Sequence, residues 1–347
     1  MYESVGAIPE VRDVPEPACP PDGAVVAVHA TGVCRSDWHA WRGHDPVSLP
    51  HIPGHEFAGI VAQVGPGVTR FVVGDRVTVP FVNGCGRCED CRAGQAQVCA
   101  HQTQPGFTGP GSFAELVAVP AADFNLVTLP DTVDFVTAAS LGCRLATAYH
   151  ALTAQAGLAP GEWVAVFGCG GVGLSAIQVA VALGAHVVGV DTSPDALARA
   201  EALGAVAVPA NALAATAVAE VTGGGAHVAM DALGSAGTAT ASVRSLRRRG
   251  RHLQVGLMFG DDLATPLPWD LVVSRELRIL GCHGMAARDY PELLALITAG
   301  RLDPRPLLGR VIDLSRAGDA LVAMDRVGAT GGGMVVAEVV PGGRRVP

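Results

Sequence analysis

Valine-rich runs broken by glycine and proline occupy the first part of the chain. Asp22 to Val33, Phe57 to Val64, Asp75 to Val79 and Phe113 to Val119 each read as a short strand bounded by turn residues. This predicts an irregular β-rich domain. After Gly161 the rhythm changes, and apolar strands at 163–167, 186–190, 205–208, 226–231, 251–256 and 277–281 alternate with Ala/Leu-rich helical stretches. Such alternation is the βαβ pattern of a parallel, doubly wound α/β sheet, and six strands complete one dinucleotide-binding fold. A helix is expected at 289–299, after which the chain returns to the first domain. The basic run Arg247 to Arg251 is expected to close a helix and open the next strand.

Composition narrows the class. At 347 residues the chain suits two domains with a full hydrophobic core, and 49% hydrophobic against 16% charged residues makes it globular. A net charge of −8 argues against a nucleic-acid partner, which needs a basic face. No stretch reaches the roughly 18 apolar residues of a membrane span. The N-terminus lacks the basic-then-apolar layout of a signal peptide. The expectation is a cytoplasmic protein whose cysteines stay reduced. Their odd number, nine, also argues against a complete disulfide framework.

The second domain opens on Gly168-Cys169-Gly170-Gly171-Val172-Gly173, after strand 163–167 and before a helix starting near Val172. The first glycines permit a tight turn and close approach of backbone to pyrophosphate, and Gly173 lets helix and strand pack closely. Unpaired N–H groups at the helix start then face the phosphates. The next strand ends in Asp191, whose carboxylate suits the ribose hydroxyls and repels a 2′-phosphate, favouring NAD over NADP.

Cys85, Cys88, Cys91 and Cys99 follow a C-x2-C-x2-C-x7-C spacing. Four converging thiolates make a closed structural zinc site that orders a loop. Cys34, a Gly54-His55-Glu56 triplet and Cys143 are left over. Catalytic zinc wants three protein ligands and an open position. Spacing cannot join residues so far apart, and each alone reads more readily as packing.

Taken in order, these motifs resemble the zinc-dependent medium-chain alcohol dehydrogenases: Cys34-Arg35-Ser36-Asp37-x-His39, Gly54-His55-Glu56, the four-cysteine lobe, Gly142-Cys143-Arg144 and the Gly168 to Gly173 loop. The resemblance covers nearly the whole chain. It implies a GroES-like catalytic domain at 1–146 and 288–347, with a zinc lobe at about 84–100, and a Rossmann NAD-binding domain at 147–287. Substrate and nicotinamide would meet in the cleft between them.

The resemblance further implies two zincs per chain and NAD(H). Cys34, His55 and Cys143 match the catalytic zinc ligands, and Glu56 a carboxylate able to approach the metal. Asp37 matches the partner of the ligating histidine. Ser36 and His39 match a proton relay. Arg35 matches a pyrophosphate contact, and Thr147 and Leu257 join Gly168, Gly170, Gly171, Val172, Gly173 and Asp191 in the cofactor site. The implied reaction moves hydride between a primary or secondary alcohol and NAD+, with zinc as Lewis acid, most simply under EC 1.1.1.1. The implied assembly is a homodimer or homotetramer.

Two positions depart from the family pattern. Gly332-Gly333-Met334-Val335 lacks an arginine that commonly touches pyrophosphate, and Ala196 stands where a basic residue commonly flanks the adenosine. Polyol and amino-alcohol dehydrogenases are the near alternative, against which Cys143 in place of a carboxylate ligand argues. A non-catalytic NAD(H)-binding sensor is the alternative of another class; it predicts decayed zinc ligands or relay residues, and all are intact. Trp38, Trp41, Phe81, Phe107 and Trp269 are candidates to line an apolar substrate pocket, favouring bulky apolar alcohols.

Overall fold

The computed structural model describes residues 1–326 and 333–339. Gly332 and the last part of the expected first domain, 340–347, lie outside them. Chain contacts separate two compact units, Met1–Ala146 joined by the chain from Gly284 onward, and Thr147–His283. The return to the first unit thus comes slightly ahead of residue 288.

The first unit is built on a seven-stranded sheet of β1 (Ala24–Val33), β2 (Glu56–Val64), β3 (Arg76–Thr78), β4 (Leu116–Val119), β5 (Val127–Thr128), β12 (Leu308–Asp313) and β13 (Met334–Glu338). The order is β12-β13-β1-β2-β3-β5, with β4 on β1. Valine dominates because a β-branched side chain packs well on a pleated surface. Val26, Val28, Phe57, Val61, Val77, Val117 and Val119 make the core between the strands. β1 pairs antiparallel with β2, β4 and β13, and breaks register twice against β2, bending the sheet. Its last residue, Val33, delivers the chain into the helix Arg35–Trp41. β12 and β13 were not foreseen from the sequence; after the long excursion through the second unit β13 adds to β1, and β12 to β13.

The second unit carries β6 (Trp163–Phe167), β7 (His186–Asp191), β8 (Val206–Pro209), β9 (Ala226–Asp231), β10 (Leu246–Gln254) and β11 (Arg278–Gly281). All pairings are parallel, in the order β11-β10-β9-β6-β7-β8. This is the doubly wound dinucleotide fold, with its switch point beside β6. The central strands read as near-continuous apolar runs because both faces are covered by crossing helices. Ala165, Phe167, Val188, Val190, Ala229 and Leu246 form the buried centre.

The basic run behaves differently from expectation. Arg247 to Arg251 lies wholly inside β10, and the preceding helix has already ended at Arg244. Register breaks between Leu246 and Arg251, with Arg249 at a φ of 60°. That kink turns Arg248 and Arg249 to solvent, while Arg251 returns to the sheet and pairs with Glu162 at 2.6 Å.

Candidate metal and dinucleotide sites

In the first unit, three separate segments bring Cys34, His55 and Cys143 together. Cys34 precedes the helix Arg35–Trp41, and His55 precedes β2. Cys143 sits in a π-helical turn, Leu141–Leu145, within a longer helical run. Such turns are rare and frequent at functional sites, because the extra residue re-aims a side chain. The ligand atoms of Cys34, His55 and Cys143 lie within 4.8 Å of one another.

Asp37 organises this cluster from complete burial. Its Oδ1 accepts from His55 Nδ1 at 2.8 Å and from the Gly54 N–H at 3.0 Å, and its Oδ2 accepts from the Cys34 N–H at 3.0 Å. One carboxylate therefore fixes two ligand-bearing segments and the histidine tautomer. His55 Nε2 is then buried with no hydrogen-bond partner of normal geometry. An orphaned polar atom in such a place is costly unless something accepts its lone pair. A cation held by this nitrogen and two thiolates fits the donor set, which is that of a three-ligand zinc site.

The charge states fit as well. The neighbouring Cys143 thiol holds Cys34 well below the ordinary thiol value, against burial, and the Arg144 guanidinium and His55 help. Cys143 is pushed well up by Cys34 and by burial. Burial works against a charged imidazole at His55, yet the Asp37 carboxylate outweighs it and raises the His55 value. Metal loading therefore releases protons here.

Glu56 does not point free toward this cluster. Its carboxylate is gripped by Arg144, with Nε at 3.1 Å from Oε1 and Nη2 on Oε2, and the Arg144 backbone N–H adds a third contact at 3.3 Å. Arg144 stands in the Gly142-Cys143-Arg144 motif, whose sequence alone gives it no role. Its signal was a charge placed beside a ligand in an otherwise apolar run. The ring of Phe107 stands edge-on to His55 at 5.1 Å and that of Phe81 at 6.0 Å. Trp41, by contrast, is core, packed with Tyr2 and Leu321 and donating to the Ala7 carbonyl. Trp38 is held by Asp325 at 2.8 Å, and Trp269 is largely exposed in the second unit. Of the five aromatics, the structure therefore brings Phe81 and Phe107 to the ligand cluster, while Trp41 belongs to the core.

Ser36 lies half-buried with its Oγ 3.9 Å from the Cys34 sulfur. His39 follows on the same helix. Arg35 donates to the Met324 carbonyl at 2.8 Å and stacks over Trp38 at 4.7 Å.

The four-cysteine lobe is a second, separate set. Cys85, Cys88, Cys91 and Cys99 place their sulfurs within 4.8 Å of one another. Backbone N–H groups of Cys85 and His101 point at the Cys99 sulfur, and that of Cys91 at the Cys88 sulfur, at 3.3–3.4 Å. N–H donors aimed at sulfur favour the thiolate, and the Arg87 and Cys88 N–H groups bring Cys85 down to about 6. All nine cysteines are free thiols, so the clustering is not disulfide geometry. Four converging sulfurs suit a closed tetrahedral zinc site.

In the second unit, β6 ends and Gly168 turns the chain at a φ of 95°. A Cβ on Gly173 would stand 1.8 Å from the Gly168 carbonyl oxygen, so the turn and the helix Gly171–Ala182 can pack only with glycine there. Gly170 caps that helix without a side-chain acceptor, and a Cβ on it would meet nothing within 4 Å. The helix start is thus open and its first N–H groups are available to an anion. Gly171 and Val172 begin the first turn. This cradle fits a dinucleotide pyrophosphate.

Asp191 ends β7 and accepts from the Cys169 N–H at 2.7 Å and the Ser193 N–H at 2.8 Å. Each oxygen keeps a lone pair for a ribose hydroxyl. Ala196 is buried in the following helix. Asp231, which sequence reasoning missed, is fully buried at the end of β9 and ties down the Leu233 and Gly234 N–H groups and Gln254. Leu257 is half-exposed after β10, its carbonyl against Gly234. Thr147 is buried, with its carbonyl 3.7 Å from the Cys282 sulfur.

Residues 20–131 match the family model described as alcohol dehydrogenase GroES-like domain, and residues 171–299 that described as zinc-binding dehydrogenase. An alcohol dehydrogenase of Geobacillus stearothermophilus is 37% identical over 84% of this chain and 86% of its own. Among solved structures, alcohol dehydrogenase TADH from Thermus sp. ATN1 superposes with a TM-score of 0.90 at 32% identity, covering 98% of this chain and 99% of that one. An NAD-dependent alcohol dehydrogenase does so with a TM-score of 0.84 at 31% identity, covering 95% and 96%.

Proposed function

From its membership of the zinc-dependent medium-chain alcohol dehydrogenase family, to which this chain belongs, we infer that it is an NAD-linked alcohol dehydrogenase using one catalytic and one structural zinc. The observation that carries the reading is the three-ligand cluster of Cys34, His55 and Cys143, with His55 Nδ1 locked by Asp37 and Nε2 left for a metal. When bound there, zinc supplies a Lewis acid that makes an alcohol oxygen more acidic. When bound at the glycine loop, NAD supplies the hydride acceptor, or NADH the donor.

The chain's own residues do the rest. Asp37 keeps the His55 ring oriented through each turnover. Ser36 and His39 take the alcohol proton away during oxidation and return it during reduction. Arg144 holds the Glu56 carboxylate in place and opposes the upward push of burial on it. Phe81 and Phe107 wall the ligand cluster with apolar surface, which limits water and favours an apolar substrate. The open helix start at Gly170, with Gly168, Gly171, Val172 and Gly173, receives pyrophosphate. Arg35, Thr147 and Leu257 add cofactor contacts. Asp191 accepts the ribose hydroxyls and disfavours a 2′-phosphate, selecting NAD. A homodimer or homotetramer is the assembly this family membership supports, with small alcohols and aldehydes as partners. No helix among the described residues is long and apolar enough to cross a membrane.

The test is NADH absorbance with paired alcohols plus NAD+ and aldehydes plus NADH, alongside metal analysis. Two zincs per chain in the native protein, one in Cys34→Ser, and turnover lost in that variant are the expected results. Turnover unchanged by Cys34→Ser would overturn the reading.

A further inference from the structure

The helix Arg35–Trp41 ends in a motif that brings two histidines together. Arg42 closes it, and Gly43 takes a φ of 77°, which a side chain would resist. The Gly43 N–H then bonds the Ala40 carbonyl at 3.0 Å, and the His44 N–H bonds the His39 carbonyl at 2.9 Å. In this kind of helix ending, the residue after the glycine folds back on the residue five positions earlier, normally through an apolar contact. Here both positions are histidine. His39 Nδ1 and His44 Nδ1 stand 3.1 Å apart, with ring centroids at 5.3 Å. Two ring nitrogens at that distance are bonded only when one carries the proton and the other accepts it. Trp38 lies edge-on to both rings, at 5.0 and 5.4 Å, and holds the pair against the helix.

The two rings differ in environment. His39 is half-buried and His44 exposed. Burial, then His44, then Arg35 lower His39 to about 4, with Cys34 opposing. Asp325, bonded to Trp38 and paired with Arg42, and half-buried Asp45 are the acidic groups at this end of the helix. An imidazole so reluctant to hold charge at neutral pH is a poor place for a proton to wait. It needs an exit.

We propose that His44 acts through His39, as the positioning and proton-exchanging partner that connects it to solvent. The inference rests on the reading of His39 as a relay residue. During alcohol oxidation a proton arrives at His39, the His39 Nδ1 proton crosses to His44 Nδ1, and His44 gives its Nε2 proton to water. Reduction runs the same transfers backwards. The pair regains its starting tautomers by exchange with water between turnovers.

The experiment compares the zinc- and NAD-loaded full chain with His44→Ala and His44→Gln, in weak and in strong phosphate buffer. His44→Ala is expected to lower kcat/KM for alcohol oxidation about tenfold in weak buffer. It should alter the lower limb of the pH profile and recover as phosphate replaces the missing base. Glutamine can bond His39 but cannot exchange a proton, so His44→Gln should remain slow. A glutamine variant at the native rate, or an alanine variant that phosphate does not rescue, would overturn the proposal. A readout independent of turnover is nitrogen-15 NMR of the native chain, which should show one proton shared between the two Nδ1 atoms. Native protein inactive on every alcohol, with that proton present, would sink the dehydrogenase reading and the relay with it. Active native protein with an indifferent His44→Ala would sink the inference alone.

Discussion

Glu56 and Arg144 form a two-pronged ion pair with 0% and 6% of their surfaces exposed, and each immediately follows a metal-ligand candidate. The pair therefore clamps the His55 and Cys143 segments to each other independently of any metal. Burial raises the Glu56 value and Arg144 opposes it. A buried pair of this kind adds little relative to apolar packing, but breaking it strands a charge.

Arg144→Met should consequently destabilise the protein by about 3–5 kcal/mol, the usual cost of leaving a buried partner unpaired. Arg144→Lys keeps the charge without the fork and should fall between. Combining Arg144→Met with Glu56→Gln should recover much of the loss. Denaturant unfolding of the native chain, these three variants and the Glu56→Gln single variant checks this; additive losses in the double variant would contradict it.

Asp37→Asn should weaken zinc binding at the three-ligand cluster by about 10–100-fold, because the carboxylate orients His55 and raises its basicity. The four-cysteine lobe shares no residue with Asp37, so its zinc should stay. Competition with a chelator, followed by metal analysis, separates the two ions. Equal loss of both would show that the substitution unfolds the unit instead.

Gly173→Ala should abolish NAD binding, since its methyl group would lie 1.8 Å from a backbone oxygen that no rotamer can move. Asp191→Ala frees the Cys169 N–H but adds no clash to the turn, and should reduce discrimination between NAD and NADP. Titration of each cofactor by fluorescence reports both effects.

Acid should destabilise the folded chain below about pH 6.5, the ordinary histidine value. His29, His39, His51, His227, His252 and His283 are all shifted down, in each case first by burial. Between the folded and unfolded values the unfolded chain binds more protons, so stability is complete above the unfolded value and falls as pH falls. His252 is nearly fully buried, bonded to Ser242 at 2.9 Å and Gln254 at 3.2 Å. Replacing it with Gln should flatten part of the slope in urea unfolding measured from pH 7 to 5.

Phe107 and Phe81 predict that benzyl alcohol beats ethanol in kcat/KM, and that Phe107→Ala narrows the difference. A native preference for ethanol would refute the assignment of these rings to the substrate wall.

Much of the fold was legible because it is written in local pattern. The β6, β7 and β9 runs are apolar on both faces, so their burial in a parallel sheet follows from the sequence alone. β12 and β13 were not legible, because what makes them strands is β13 pairing with β1 across the intervening second unit and β12 pairing with β13 in turn. The Arg247 to Arg251 run misled for a related reason. Charge suggested a helix end, whereas the irregular ladder against β9 keeps those residues in a strand.

The four-cysteine lobe was determined by sequence, since ligands separated by two, two and seven intervening residues have few other ways to converge. The glycine turn was too, because a carbonyl 1.8 Å from any Cβ leaves no alternative to Gly173. Cys34, His55 and Cys143 were joined by the family resemblance and not by spacing, and the tertiary structure brings them together; only that structure sent Trp41 into the core and paired Glu56 with Arg144. Those relationships depend on segments distant along the chain meeting in space. Local spacing fixes short-range geometry, while long-range contact is set by how whole elements pack.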